Sequence, residues 1–286
     1  MLKNEILNEI SHIRAAVQQK APLIHCITNP ISIHDCANVV LAAGGRPMMA
    51  EHPAEVEEIT VTAGALALNL GNITDARRTS ILISGKAAME RHIPVILDMV
   101  GIGCSHFRRE LTEEFLKQRM SEAVKVSESP LILKGNMSEL KALAGADYHV
   151  SGVDVASGDV LSEDNRAEMI GLAKSAAKVY GAVVLASGKT DLVTDGEKGC
   201  LIDNGCEMMG RITGTGCMLN VLAGTYMSVG KPMAAAVAAC VVLGISGEMA
   251  AGQCRGTGSF QTAFQDALFC MTDEDIRSRI RVTFFE

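Results

Sequence analysis

The 286-residue chain is 48% hydrophobic and 21% charged, with a formal net charge of -7, no tryptophan and three tyrosines. An acidic balance lacks the attraction a phosphate backbone requires, and so few aromatics leave no stacking platform, so nucleic acid is excluded as a partner and a small molecule is expected. The length suits one α/β domain spanning 1–286 with a large core.

In chain order, the first segment "MLKNEILNEISHIR" carries acids among its apolar residues. Leu2, Ile6, Ile10, Ile13 and Val17 share one helical face, which predicts a surface helix rather than a secretory leader. Short β-branched runs then alternate with helical patterns. The strands are predicted at Pro22 to Thr28, Ala65 to Gly71, Ile93 to Asp98, Pro130 to Gly135 and Ala182 to Ser187, with further short runs near Val193 and Cys200. Helices are predicted over Asp75 to Arg91, Arg109 to Val126, Met137 to Ala144, Ser162 to Tyr180, Gly216 to Ser228, Pro232 to Ala251 and Phe260 to Cys270. That alternation is the pattern of a mostly parallel sheet covered by helices on both faces. The hydrophilic stretch Ser151 to Asn165 is expected to be a mobile loop over the site.

The apolar stretch Pro232 to Gly252 breaks at Ser246 and Glu248, short of a membrane span, and is expected to be a buried core helix. Nine cysteines, an odd number without a C-x-x-C pair, fit a reducing compartment and a cytoplasmic protein. His25, in the first strand, and His34, in the helix after it, are expected to be ordinary structural histidines.

In open parallel sheets ligands gather at the carboxyl ends of strands, which singles out Thr28, Asn29, Asn69, Gly71, Asp98, Asn136 and Ser187 by position. Two glycine motifs are decoys. "SGKTD" lacks the earlier glycine of a P-loop, and "GTG" at Gly214 to Gly216 lacks the third glycine and the distant acid of a dinucleotide fingerprint. What remains is "RITGTGCMLN", a glycine-rich turn entering a helix, where free N–H groups and the helix dipole favour an anion. An ordinary loop-to-helix turn stays open as the alternative. Gly214 and Gly216 permit close backbone approach, and Thr213 or Thr215 supplies a hydroxyl or a cap. Cys217, in the first turn, is expected to have its thiolate stabilised by the dipole. Asn136 and Glu139 form an N-x-x-E pattern at a strand end, where Asn136 can cap the helix and Glu139 reads as a helix-start acid favoured by the dipole.

With that loop, "PLIHCITNPIS", "GGRPMMAE", "LALNLG", "PVILDMVGIG" and "KGNMSEL" occur in order, and the resemblance continues through "GTGSFQTAFQDAL". The chain closely resembles the hydroxyethylthiazole kinases of the ribokinase-like superfamily. The resemblance implies a three-layer α/β/α fold with a mostly parallel central sheet. It also implies transfer of the ATP γ-phosphoryl group to 4-methyl-5-(2-hydroxyethyl)thiazole with Mg2+ in thiamine salvage, and a homotrimer with substrate sites at subunit interfaces. Met49, Asn29 and Gly214 match substrate-contacting positions, Lys134 and Ser187 nucleotide-contacting ones, and Cys217 stands where many superfamily members place an aspartate base. The phosphate-loop segment Thr213 to Cys217 would then stabilise the transferring group, with Cys217 orienting the alcohol. Asn136 and Glu139, together with Asp98, would lie near a bound Mg2+. Lys134 replaces a planar arginine by a point charge, a weaker match to phosphate. Met99 replaces a proline, which predicts a less rigid turn after Asp98.

Overall fold

The computed structural model describes residues 3–120, 128–145 and 161–286. Eleven α-helices and nine strands are found among the described residues. The first half contains α1 (Lys3–Lys20), β1 (Leu23–Ile27), α2 (Ile33–Ala42), β2 (Arg46–Met48), α3 (Val56–Thr60), β3 (Ala65–Asn69), α4 (Asp75–Glu90) and β4 (Val95–Asp98). Then come α5 (His106–Arg119), β5 (Leu131–Asn136), α6 (Met137–Leu143), α7 (Arg166–Tyr180), β6 (Val183–Ser187), β7 (Asp191–Thr194) and β8 (Gly199–Ile202). The chain closes with α8 (Thr215–Met227), α9 (Pro232–Ala251), α10 (Thr257–Cys270), α11 (Asp273–Arg279) and β9 (Val282–Phe285).

One sheet runs in the order β2-β1-β3-β4-β5-β6-β7-β8-β9. Its first six members are parallel, and β7, β8 and β9 extend it antiparallel. The predicted strands are all present, most of them trimmed by a residue or two at their ends, while the one expected to stop at Gly135 runs on to Asn136. The segments β2, β9, α3 and α11 had not been anticipated, being three to seven residues long. Proline at the centre of β2 is tolerated because the strand lies at the edge, where one side of the backbone needs no partner. The helix expected over Arg109 to Val126 starts earlier, at His106, where the Ser105 hydroxyl accepts from the N–H of Arg108; residues 121–126 lie outside the described ones. The helix expected from Ser162 starts at Arg166, and the expected loop from Ser151 lies mostly outside the described residues.

Side chains alternate along each strand and so divide between two apolar layers. Ala65 and Ala67 of β3, Ile96 of β4 and Ile132 of β5 pack with α1, α2, α8, α9 and α10. Leu66 and Leu68, Val95 and Leu97, and Leu131 and Leu133 pack on the other face with α4, α5, α6 and α7. The result is a three-layer α/β/α arrangement. Along α1, Ile6, Ile10, Ile13 and Val17 are all fully buried, so the predicted stripe faces the core. Among the described residues α9 alone is long and apolar enough to cross a membrane, and 83% of that stretch is buried inside the protein.

The same period of two orients the strand ends. Asn69, Asp98 and Lys134 are register partners on three neighbouring strands. Each lies two residues after a member of the α8-facing layer, so all three side chains point toward α8. Close approach of that helix is possible because Gly224 has no side chain: a Cβ there would stand 3.2 Å from Ile96 Cγ2. Asn220 donates to the Leu68 carbonyl at 3.1 Å and ties α8 to β3.

Candidate active site

Gly214 forms the entrance to α8. Its φ is 84°, a left-handed conformation that side-chain-bearing residues resist, and a Cβ there would come within 2.6 Å of Ser32 Cβ. Glycine is therefore required twice over, by conformation and by the contact with the β1–α2 connection. The first N–H groups of α8 have no acceptor within the helix and leave its positive end open to an anion. Thr213 and Gly216 are exposed at this turn. The Thr215 hydroxyl donates to Met209 O at 3.2 Å and no side chain caps the helix, so of the two roles expected of Thr213 or Thr215 the cap is not formed.

Beneath the turn lies the row from the strands. Lys134 Nζ donates to Asp98 Oδ2 at 2.8 Å, and Asn69 Nδ2 donates to the same oxygen at 2.9 Å. Asn69 Nδ2 also reaches Cys217 Sγ at 3.4 Å, while its Oδ1 accepts from Gly71 N at 2.8 Å and so fixes the orientation of the amide. Lys134 is adjacent to the anion turn, since a Cβ on Gly216 would stand 3.5 Å from its Nζ. Burial pushes the Asp98 carboxyl up, and Lys134 and Asn69 draw it part of the way back. For Lys134, burial weighs against the ammonium, yet the charge and hydrogen bond of Asp98 carry it above the ordinary lysine value. The structure holds these two as an ion pair.

Glu139 is 5% exposed. Its Oε1 accepts from Gly101 N and its Oε2 from Asn136 N, both at 2.7 Å, while Asn136 Oδ1 accepts from Glu139 N at 2.9 Å. The predicted cap is thus a reciprocal capping box that also ties down the turn after β4. Burial, with Asp98 nearby, pushes Glu139 up to about 7 against the pull of Gly101 and Lys134.

Cys217 departs from expectation. Its thiol lies above the usual value rather than below it: burial is the main cause, Asp98 adds to it, and Ser32, Lys134 and Asn69 compensate only in part. The helix dipole was visible in the sequence, but the aspartate on a strand 119 positions earlier was not. Met99 donates its N–H to Lys134 O at 2.8 Å, a bond proline cannot make, which ties the start of the turn after Asp98 to β5.

The remaining residues are distributed around this centre. Asn29 Oδ1 accepts from Ile31 N at 3.2 Å and from Asn72 Nδ2 at 2.9 Å. Met49 is half-buried against the α8-side core. Ser187 donates to Gly135 O at 3.4 Å. His25 is fully buried between Thr60 Oγ1 and Ala50 O, each at 2.9 Å, and burial favours its neutral form. Sequence reading missed Ser32, and it missed Asp191, whose Oδ1 accepts from Gly188 N at 2.9 Å and whose carboxyl burial pushes up to about 6. A signal for Asp191 is present in the G-x-x-D turn of "SGKTD", the turn that follows Ser187.

Among the described residues no group of three or more His, Cys, Asp and Glu is arranged to enclose a metal. Mg2+ does not require such a cage, being held by one or two carboxylates together with waters and phosphates. Asp98 Oδ1 is buried without a hydrogen-bond partner, the N–H of Val100 favouring the carboxylate without the geometry of a bond. That orphaned oxygen fits a cation at the foot of the anion turn.

A mostly parallel sheet between two helical layers, with a glycine-rich turn over a carboxylate and a lysine at the strand ends, is the ribokinase-like architecture. A ribokinase-like protein from Enterococcus faecalis superposes with a TM-score of 0.56 at 12% identity, covering 93% of this chain and 94% of that one, which shows the shared fold. The chain belongs to the hydroxyethylthiazole kinase family, whose family model matches residues 14–274. It is 44% identical over 273 residues to hydroxyethylthiazole kinase 2 of Clostridium botulinum strain Okra, covering 96% of this chain and 99% of that one. It is 37% identical to a hydroxyethylthiazole kinase of strain Eklund 17B, covering 98% of each. The structure of a hydroxyethylthiazole kinase protein from Pyrococcus horikoshii OT3 superposes with a TM-score of 0.83 at 31% identity, over 99% of this chain and all of that one.

Proposed function

We propose that the protein transfers the γ-phosphoryl group of ATP to the hydroxyl of 4-methyl-5-(2-hydroxyethyl)thiazole, yielding the thiazole phosphate and ADP for thiamine salvage. The observation that carries this is the α8 turn, Gly214 to Cys217, standing over the row Asn69, Asp98 and Lys134. In the step, the thiazole's hydroxyethyl oxygen bonds to the γ-phosphorus as the bond to the ADP oxygen breaks. The hydroxyl proton passes to solvent water as the new bond forms, so that alcohol and ATP give the phosphate monoester, ADP and one proton.

Phosphoryl transfer depends on positioning and on stabilising charge spread over the transferring oxygens. The N–H groups at the start of α8 meet that charge, and the ammonium of Lys134 lies directly under them. Mg2+, held by Asp98 with Glu139 and Asn136 on its water shell, would neutralise phosphate charge and orient the nucleotide. Lys134, Ser187 and Thr213 are assigned to the nucleotide side, and Met49, Asn29 and Gly214 to the thiazole side. Cys217 faces the alcohol. Its raised thiol is poorly suited to be a preformed base, and a loose transition state has little need of one, so its role is to orient the hydroxyl.

ADP release by purified protein with ATP and Mg2+, with and without the thiazole, tests the assignment, the product being weighed by mass spectrometry. Thiazole-dependent turnover is expected. Binding of the thiazole without turnover would replace the kinase by a ligand-binding protein on the same fold. A homotrimer with shared sites and a cytoplasmic location belong to this reading. They are supported by the family resemblance and by nine cysteines that are all free thiols, and light scattering measures the assembly.

A further inference from the structure

Among the described residues one of the two largest fully buried side chains, both arginines, is a cation close to the site that the reaction does not use. Arg77, in the first turn of α4, is 0% exposed. Its Nη1 donates to Gly71 O at 2.6 Å and to Asn72 O at 2.7 Å, and its Nη2 to Thr28 O at 2.5 Å and Asn69 O at 3.4 Å. These carbonyls belong to the turns that leave β1 and β3. Nε lies 3.2 Å from Glu51 Oε2, close enough for an ion pair though not aligned as a hydrogen bond. One turn further along α4, Ser80 donates to Glu51 O at 2.8 Å. Arg77 therefore joins three segments distant in sequence: Thr28 and Asn29, Asn69 to Asn72, and the stretch that runs from Met48 to Glu51.

Converging carbonyls repel one another, and buried carbonyls without donors are costly. A guanidinium answers both problems, since it carries five donors in a planar fork and keeps its charge. The turns it holds are packed closely. A Cβ on Gly71 would meet Asn29 Nδ2 at 2.4 Å, and Asn72 has a φ of 48° while donating to Asn29 Oδ1. Pairing of Met48 with His25 and the contact of His25 Nε2 with Ala50 O hold the start of the 48–51 stretch to β1, and α4, through Arg77 and Ser80, ties its end at Glu51 to the other two turns. These are the segments that carry Asn29 and Met49.

We propose that Arg77, with Glu51 as its counter-ion, is a positioning residue for the alcohol substrate, setting the spacing of the three turns that form the thiazole pocket. This rests on the substrate reading above. The anion turn lies on α8, outside the clamp, so the pair sets the affinity for the alcohol and leaves nucleotide binding alone.

Arg77→Lys, Glu51→Gln and, as a control, Arg78→Met provide the test. Arg78 is the next residue on α4 but pairs at the surface with Glu114. Arg77→Lys is expected to raise the KM for the thiazole about tenfold and Glu51→Gln about threefold, with the KM for ATP within about twofold and Arg78→Met unchanged. Hydrogen exchange over residues 28–32, 48–52 and 69–74 is expected to rise together in both variants. An unchanged thiazole KM, or an equal rise in the KM for ATP, overturns the proposal. Should Arg77→Lys fail to fold, Glu51→Gln decides alone, because Glu51 is half-exposed and its loss is tolerable. Failure of the substrate reading looks different. Wild-type protein would make no thiazole phosphate, whereas unchanged exchange of the three segments in Glu51→Gln refutes the clamp whatever the substrate.

Discussion

Replacing Lys134 by methionine isolates the strongest electrostatic feature of the site. The residues are 4% and 1% exposed at Lys134 and Asp98, and their charges meet at 2.8 Å. With an effective dielectric of 20, that separation corresponds to an attraction of about 6 kcal/mol. Burial of the two ions takes back several kcal/mol each, so the intact pair adds little net stability. Removing one partner, by contrast, strands the other and costs about 3–5 kcal/mol. Lys134→Met is therefore expected to lower the urea midpoint by that equivalent without nucleotide present, at an unchanged m-value. Adding Asp98→Asn should restore much of the loss, leaving a coupling of at least about 2 kcal/mol. The sign of the pH dependence is determined too. Burial holds Asp98 above its unfolded value, and without the lysine that upward shift grows. The folded single variant then binds its proton more tightly than the unfolded chain does, and its stability falls as pH rises through the window above the ordinary aspartate value. A Lys134→Met protein within about 1 kcal/mol of wild type at neutral pH, or a double variant equal to the sum of the singles, would refute an ion-paired centre.

Gly214→Ala should lower the unfolding free energy by at least about 1–2 kcal/mol, from its positive φ alone, and cut turnover through the contact with Ser32; guanidinium unfolding beside steady-state kinetics reads both. Glu139→Gln keeps one acceptor and turns an amide donor toward a backbone N–H, for a loss of about 1–3 kcal/mol in thermal or chemical unfolding. Cys217→Ser is expected to reduce kcat by about tenfold with the shape of the pH profile retained, since the thiol orients the hydroxyl. A fall of about a thousandfold would restore the base role. His25 is held below its ordinary value, so the unfolded chain takes up a proton that the folded one refuses, and stability is lost as pH drops below about 6.5. His25→Gln should flatten that part of the Tm profile, and an unaltered slope would show that other groups control it.

The strand ends were legible because β-branched runs end in polar residues, which singled out Asn69 and Asp98 by position, whereas the alignment of Lys134 with them depends on the register of three strands. The N-x-x-E spacing likewise carried the cap by Asn136, while the return bond from Glu139 and its second bond to Gly101 came only with the fold. The short edge strands β2 and β9 were not legible, since three residues around a proline and four near the chain's end carry too little pattern to register. Arg77 reads as one more charge near the start of an amphipathic helix. Its burial depends on carbonyls from β1 and β3, which are brought together only by the sheet. Cys217 shows the same limit in energetic form: the local dipole favours the thiolate, but burial and the charge of Asp98 outweigh it, and both come from tertiary contacts.

The division of each strand between two apolar layers makes the protein far more sensitive to length than to composition at the centre of its sheet. Deleting one residue within β4 would rotate Asp98 into the layer that holds Leu97 and present Met99 to Lys134 and Cys217 in its place. No compensating point substitution could repair such a frameshift of faces short of rewriting the whole strand. Insertions and deletions across β3, β4 and β5 should therefore be rare among working variants of this enzyme, while conservative exchanges of its apolar residues are absorbed.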